Sequence, residues 1–305
     1  MSRCVDLARR VARTSLPVTL LGPSGSGKSL LAQAIHAWSP RADGPFVAIN
    51  AAAIPASLFE AELLGAEAGA FTDAGQVRIG HVERAAGGTL LLDEIGALAT
   101  AQQATLLRVL DANDFHRVGG DDPIPMRARI IAATSADLAT EVAAERFRTD
   151  LFHRLTVLCL HVPALADRPQ DLPELARAIA LEQAERCQLP PRELSPDALD
   201  ALADHAWTGN VRELENVVTR AALAARGDLV TGADVARALP ASAPTADLEA
   251  TTGESLADIV ERAIDHALSS ARGDVAAAAK RLGVSRATVY RHRRKARSSG
   301  RGADR

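Results

Sequence analysis

Five short apolar runs, at 17–21, 46–50, 89–92, 128–134 and 156–162, punctuate the first 165 residues, and between them apolar positions recur at helical spacing. Short, mostly apolar runs of this kind are what strands buried on both faces require. Alternating with amphipathic helices, they predict an α/β fold with a parallel sheet. After 165 the strand-like runs stop and helical periodicity fills 171–188, 195–205 and 210–225, which predicts a separate helical subdomain at 166–239. Residues 240–253 are small, polar and broken by two prolines, the composition of a linker. A last compact helical segment is predicted within 254–305.

Two chemical signatures fall on this frame. Gly22-Pro23-Ser24-Gly25-Ser26-Gly27-Lys28-Ser29 has the form GxxxxGK[ST], with an apolar strand before it and a helical run at 30–38 after it. The glycines let backbone amides turn inward around phosphates, the helix N-terminus adds its positive dipole end, Lys28 reaches the β and γ phosphates, and the Ser29 hydroxyl ligates Mg2+. The run 89–92 then ends in Asp93 and Glu94. Parallel sheets bind ligands beyond the carboxyl ends of their strands, so both acids are expected to face the nucleotide, Asp93 toward Mg2+ and Glu94 toward the attacking water. Together the signatures predict an ATPase with ATP and Mg2+ as cofactors.

Composition adds three constraints. Apolar residues make up 47% of the 305 positions, enough for real cores, while aromatic residues are only 3%, which argues against stacking platforms for single-stranded nucleic acid. The net charge of −3 hides a division: residues 280–305 carry +9 and the first 279 residues carry −12. Such a basic end points to a polyanion partner. Cys4, Cys159 and Cys187 imply neither a disulfide framework nor a zinc site, and the histidines other than His292 have no metal-ligand spacing. The apolar stretch at 18–21 is too short for a signal peptide or a membrane span, so a soluble, cytoplasmic protein is expected, with no membrane partner.

The basic end has a pattern of its own. GDVAAAAKRLGVSRATVYRHRRKA at 273–296 reads as a helix-turn-helix, with a first helix at 275–282, Gly283 in the turn and Ser285 as the N-cap of the second helix. Leu282, Val284 and Val289 are expected to face the small core. Ser285, Arg286, Thr288, Arg291, His292 and Lys295 are left as DNA-contacting candidates, with Arg293, Arg294, Lys295 and Arg297 suited to phosphates.

Between the two nucleotide signatures, Gly69-Ala70-Phe71-Thr72-Asp73-Ala74 resembles the GAFTGA loop of sigma-54-dependent transcriptional activators, the bacterial enhancer-binding proteins. The resemblance continues through ERAAGGTLLLDEIG (83–96), LLRVLDANDFHRVGG (106–120), RIIAATSADL (129–138), RFRTDLFHRL (146–155) and WTGNVRELENVV (207–218). It implies an AAA+ P-loop NTPase subdomain at 1–165, a helical lid at 166–239, a linker at 240–253 and a Fis-type helix-turn-helix at 254–305. It also implies roles: Asn50 as the switch that holds the catalytic Glu94, Thr134 and Ser135 at the sensor I position, and Arg212 as sensor II. Arg148 and Arg154 match arginine fingers that act in a neighbouring subunit, so the active form is expected to be a homo-hexamer. Gly69, Ala70, Phe71, Thr72, Asp73 and Ala74 are the expected sigma-54 contacts.

By this resemblance the chain activates sigma-54 RNA polymerase holoenzyme from double-stranded DNA upstream of promoters, remodelling closed complexes with the energy of ATP. The alternative is a DNA-binding AAA+ regulator or repressor that no longer engages sigma-54. It is motivated by Asp73, which puts a charge where the family usually has Gly. Ala66 and Ala68 replace common His and Lys positions, Ser135 a usual Asn, and Thr208 a usual Pro. The motor signature starts close to residue 1, so control is expected to be absent in cis or supplied by a separate inhibitory protein.

Overall fold

The computed structural model describes residues 1–70, 76–112, 114–188, 190–225, 227–240 and 274–275. The chain divides into two compact units, Met1–Pro240 and Ala241–Arg305. Within the second, only Asp274 and the buried Val275 are described.

The first unit is built on five parallel strands, β1 (Val18–Leu21), β2 (Phe46–Asn50), β3 (Thr89–Asp93), β4 (Arg129–Thr134) and β5 (Cys159–His161), in the order β2-β3-β4-β1-β5. Their alternation is that of a sheet covered on both faces. Leu90, Leu92, Ile130 and Ala132 pack with Phe59, Leu63, Leu106 and Leu151 on one side. Leu91, Ile131 and Ala133 pack with Ala8, Leu31 and Ile35 on the other. Register aligns the carboxyl ends: Asn50 lies opposite Asp93, and Leu21 lies opposite both Thr134 and His161. Every strand therefore delivers its last residue to one edge.

The strand expected at 156–162 is shorter, because the preceding helix Thr149–Leu155 claims Thr156. The Thr156 amide and its Oγ1 both donate to the Phe152 carbonyl, at 2.9 and 2.7 Å. A β-branched residue can end a helix through its hydroxyl, and an apolar run does not reveal that it has done so.

The helical part comprises Leu172–Arg186, Pro196–Ala203, Asn210–Ala224 and Gly232–Ala238, around a core of Leu202, Trp207, Leu214, Val217 and Val218. The first of these is entered through a 3-10 turn at Pro169–Asp171. Trp207 sits in the left-handed region at φ 51°, and its indole N–H donates to the Leu202 carbonyl at 2.8 Å. Among the described residues no helix is long and apolar enough to cross a membrane.

Candidate functional site

The loop between β1 and the helix Lys28–Ala37 passes over the carboxyl edge of the sheet. Its close packing depends on missing side chains. A Cβ on Gly22 would lie 2.3 Å from the Val162 carbonyl, and one on Gly25 would lie 2.4 Å from the Gly209 carbonyl while its backbone adopts φ 74°. Gly27, at φ 101°, is the N-cap of the following helix. These dihedrals favour glycine and leave the backbone free to approach a phosphate.

Lys28 is buried, and its ammonium donates to the carbonyls of Gly22 (2.9 Å) and Pro23 (3.2 Å). Burial pulls its pKa below the ordinary lysine value and Arg212 adds to that, against the opposing pull of Glu94 and Asp93. Ser29 Oγ donates to Asp93 Oδ2 at 3.0 Å, while Asp93 Oδ1 accepts from the Glu94 amide at 3.0 Å. A hydroxyl and a carboxylate in contact are hard oxygen donors of the kind Mg2+ takes alongside phosphate oxygens, so this pair fits the metal.

Glu94 occupies the left-handed region at φ 55°, an uncommon conformation for a residue with a side chain. Its Oε2 accepts from Ser135 Oγ at 3.1 Å and from the Ser135 amide at 3.4 Å. Asn50 lies one strand away, opposite Asp93, and its Oδ1 accepts from the Ala52 amide at 3.0 Å, capping the 3-10 turn Ala51–Ala53. In this arrangement Ser135, rather than Asn50, is the partner of the carboxylate. Thr134 ends β4, with its Oγ1 accepting from the Ala136 amide at 3.0 Å.

From the helical part, Arg212 Nη1 donates to Ser24 Oγ at 3.3 Å, which places its guanidinium beside the phosphate loop. Arg148 and Arg154 lie on the helix Thr149–Leu155 or at its N-cap, and their partners lie away from that loop. Arg148 is bidentate on Asp150 at 3.0 and 2.7 Å. Arg154 reaches the Leu110 carbonyl at 2.9 Å and Asp111 at 3.2 Å. Both are exposed, and buried Gln103 fixes the backbone beneath them by accepting from the Arg148 amide and donating to the Leu98 and Arg146 carbonyls.

Gly69 and Ala70 stand at the end of a small antiparallel pair, Gly65–Ala66 with Arg78–Ile79, bridged to Val118. Arg117 ties that base together with two bonds to Glu83, at 3.0 and 2.8 Å, and one to Glu67 at 2.7 Å. These carboxylates push the Arg117 pKa further up. Phe71, Thr72, Asp73 and Ala74 lie outside the described residues, as do Ser285, Arg286, Thr288, Arg291, His292 and Lys295.

The sheet edge thus gathers Lys28, Ser29, Asp93, Glu94 and Arg212 from separate parts of the chain. Three family models match successive parts of the chain: the Sigma-54 interaction domain at residues 1–161, the AAA+ ATPase lid domain at 166–252, and the bacterial regulatory protein, Fis family, at 255–295. The chain belongs to the sigma-54-dependent transcriptional activators.

It is similar to the Nif-specific regulatory protein of Azotobacter vinelandii, at 47% identity over 231 residues, covering 76% of this chain and 44% of that protein. It is also similar to the transcriptional regulatory protein ZraR of Salmonella typhimurium, at 40% over 289 residues, covering 95% and 65%. Among solved structures, NtrX from Brucella abortus in complex with ATP superposes with a TM-score of 0.71 at 37% identity, over 96% of this chain and 66% of that one. The chain spans about half the length of several relatives, including 51% of the response regulator FleR of Pseudomonas aeruginosa. It is an AAA+ ATPase by family, with an α/β nucleotide fold, a helical lid and a Fis-type helix-turn-helix for DNA.

Three contributors escaped the sequence reading: Ser135 as the partner of Glu94, Arg117 as the tie between Glu67 and Glu83, and Arg168, whose Nη2 donates to the Ser26 carbonyl at 2.7 Å. The family motif WTGN held a signal for one more, Asn210, whose φ of 56° marks a backbone held by its surroundings.

Proposed function

We propose that this activator hydrolyses ATP at the junctions between protomers of a homo-hexameric ring and uses the cycle to drive residues 69–74 against the sigma-54 RNA polymerase holoenzyme. The C-terminal helix-turn-helix holds double-stranded DNA upstream of the promoter. The observation that carries the reading is the contact of Ser29 with Asp93, directly beside Glu94, at the edge where the phosphate loop passes.

Ser29 and Asp93 would hold Mg2+, which when bound neutralises charge on the phosphate oxygens. The loop amides and Lys28 orient the phosphates, Glu94 positions the attacking water and takes up its proton, and Arg212 reaches in from the lid. Arg148 and Arg154 serve the site of the neighbouring protomer. A guanidinium supplied from outside completes a site only on assembly, so hydrolysis and oligomerisation are linked.

The decisive measurement is ATP-dependent isomerisation of a sigma-54 closed promoter complex by the purified chain. Open-complex formation that vanishes in Glu94→Gln supports the reading. Normal ATP hydrolysis and DNA binding without isomerisation would support the second reading, a DNA-binding AAA+ regulator that does not engage sigma-54, which Asp73 favours by placing a carboxylate in the contact loop.

A further inference from the structure

Three consecutive carbonyls on the outer side of the phosphate loop are each taken by a donor from the lid or its entrance. Ser24 O accepts from Asn210 Nδ2 at 3.0 Å, Gly25 O from the Val211 amide at 2.9 Å, and Ser26 O from Arg168 Nη2 at 2.7 Å. Asn210 also closes the arrangement on itself, since its Oδ1 accepts from the Leu165 amide at 2.8 Å, where the chain enters the lid. Both side chains are buried, at 3% exposure for Asn210 and 6% for Arg168.

A trans peptide is planar, with its N–H pointing opposite to its C=O. Holding the carbonyls of residues 24, 25 and 26 outward therefore sets the direction of the amides of Gly25, Ser26 and Gly27, the last of which caps the following helix. Ser26 N uses that direction to close a turn on the Pro23 carbonyl at 3.3 Å. The geometry leaves no slack, because the Gly209 carbonyl occupies the space a Cβ on Gly25 would need.

We propose that Arg168 and Asn210 are positioning residues for nucleotide binding, a latch by which the lid sets the peptide planes of the phosphate loop without touching the nucleotide. The proposal rests on the reading of residues 22–29 as the nucleotide-binding loop. Pre-organised donors bind without the cost of ordering, and an unlatched loop must recover that order from the ligand. The latch also makes lid placement and phosphate affinity one equilibrium, so that whatever tilts the lid loosens the nucleotide.

The test is equilibrium binding of ADP with Mg2+ to the full chain and to Arg168→Met and Asn210→Ala, alongside steady-state hydrolysis of ATP. Each variant is expected to weaken ADP binding about tenfold, the scale of one lost charge-assisted or buried hydrogen bond, and to raise KM for ATP while kcat changes less than about twofold. Asp234→Ala is the control for folding. It removes the capping box of the last lid helix and touches no atom of the loop, so it lowers the melting temperature and leaves ADP affinity in place. Wild-type affinity in both latch variants, or an equal loss in Asp234→Ala, overturns the latch. Lys28→Ala separates the two levels: if it binds ADP as well as wild type, the phosphate-loop reading itself fails and the latch with it. If it loses binding while the latch variants keep theirs, only the latch falls.

Discussion

Ser135 holds the carboxylate of Glu94 through both its hydroxyl and its amide, at 3.1 and 3.4 Å. A carboxylate engaged by two donors has to exchange them before it can accept a hydrogen bond from the attacking water, so a base held this way is slower to engage that water. Ser135→Ala removes the shorter bond, worth about 1 kcal/mol, and is expected to raise kcat for ATP about two- to fivefold with KM unchanged. Steady-state ATPase assays decide it. A fall in kcat would assign the Ser135 hydroxyl to the nucleotide instead.

Arg148 and Arg154 make exposed pairs with Asp150 and Asp111, and solvent screens such pairs, so releasing the guanidinium groups toward a neighbour costs little. Against this, an arginine finger contributes about 10³-fold or more in turnover. Arg148→Ala and Glu94→Gln are each expected to be nearly inactive, yet a random equal mixture should regain activity at about one interface in four, where an intact arginine meets an intact glutamate. Subunit-mixing ATPase measurements check this. A mixture no more active than its components would place Arg148 outside the shared site.

Much of this site was legible in the sequence, and what was not shares a physical cause. Gly22–Ser29 and Asp93-Glu94 could be read because each is a local string whose spacing is dictated by one strand and the turn after it. Arg168 and Ser26 are 142 positions apart, and Asn210 and Ser24 are 186 apart, so their contacts exist only after the lid has folded back on the sheet. The family resemblance pointed to Asn50 as the partner of Glu94, and no local pattern weighs it against Ser135. Asn50 and Ser135 both stand at carboxyl ends of strands beside Asp93 or Glu94, and side-chain direction settles which one reaches the carboxylate. The strand at 156–162 was overextended for the opposite reason, a local hydroxyl contact at Thr156 overriding an apolar pattern.

Asp73 places a negative charge within residues 69–74, proposed above to act on sigma-54, and the residues proposed for hydrolysis lie elsewhere in the sequence. Charges at a contact surface act mainly on encounter and fit, so Asp73→Gly is expected to raise sigma-54-dependent open-complex formation by about threefold or more while ATP turnover stays within about twofold of wild type. Promoter-opening assays run in parallel with ATPase assays separate the two effects. Equal opening by both proteins would show that Asp73 is compatible with engagement.

Glu213 links the lid turn to its helix, accepting from His205 Nε2 at 2.9 Å and from the Gly209 amide at 2.8 Å. Burial pushes its carboxyl up, but these two bonds and the charges nearby outweigh it and hold the pKa below the ordinary 4.5. A carboxyl that titrates lower in the folded than in the unfolded state contributes stability that is complete above the unfolded value and is lost as pH falls through the folded one. Glu213→Gln is therefore expected to cost about 1–2 kcal/mol at neutral pH, and the gap from wild type should close as pH drops below the ordinary value. Denaturant unfolding at a series of pH values reads it. A gap that widens in acid would contradict the assignment.

Arg129 is 2% exposed and has no carboxylate partner among the described residues; its guanidinium donates to the Val11 and Ala12 carbonyls, at 2.8 and 3.0 Å, at the end of the helix Ser2–Ala12. A cation suits that end, where the helix dipole is negative and the last carbonyls lack intrahelical donors. Burial, with Arg41 nearby, lowers its pKa, so holding the charge there has a cost that the two bonds must exceed. Removing it leaves no opposing buried charge, and the Val11 carbonyl keeps the Thr14 amide and hydroxyl at 3.0 and 2.9 Å, which puts the penalty below the roughly 3–5 kcal/mol typical of breaking a buried ion pair. Arg129→Met, which keeps most of the packing, is expected to cost about 2 kcal/mol, and Arg129→Ala about 4 kcal/mol because a cavity is added. If the Met variant unfolds at or above the wild-type denaturant midpoint, the cap contributes nothing and the charge is merely tolerated.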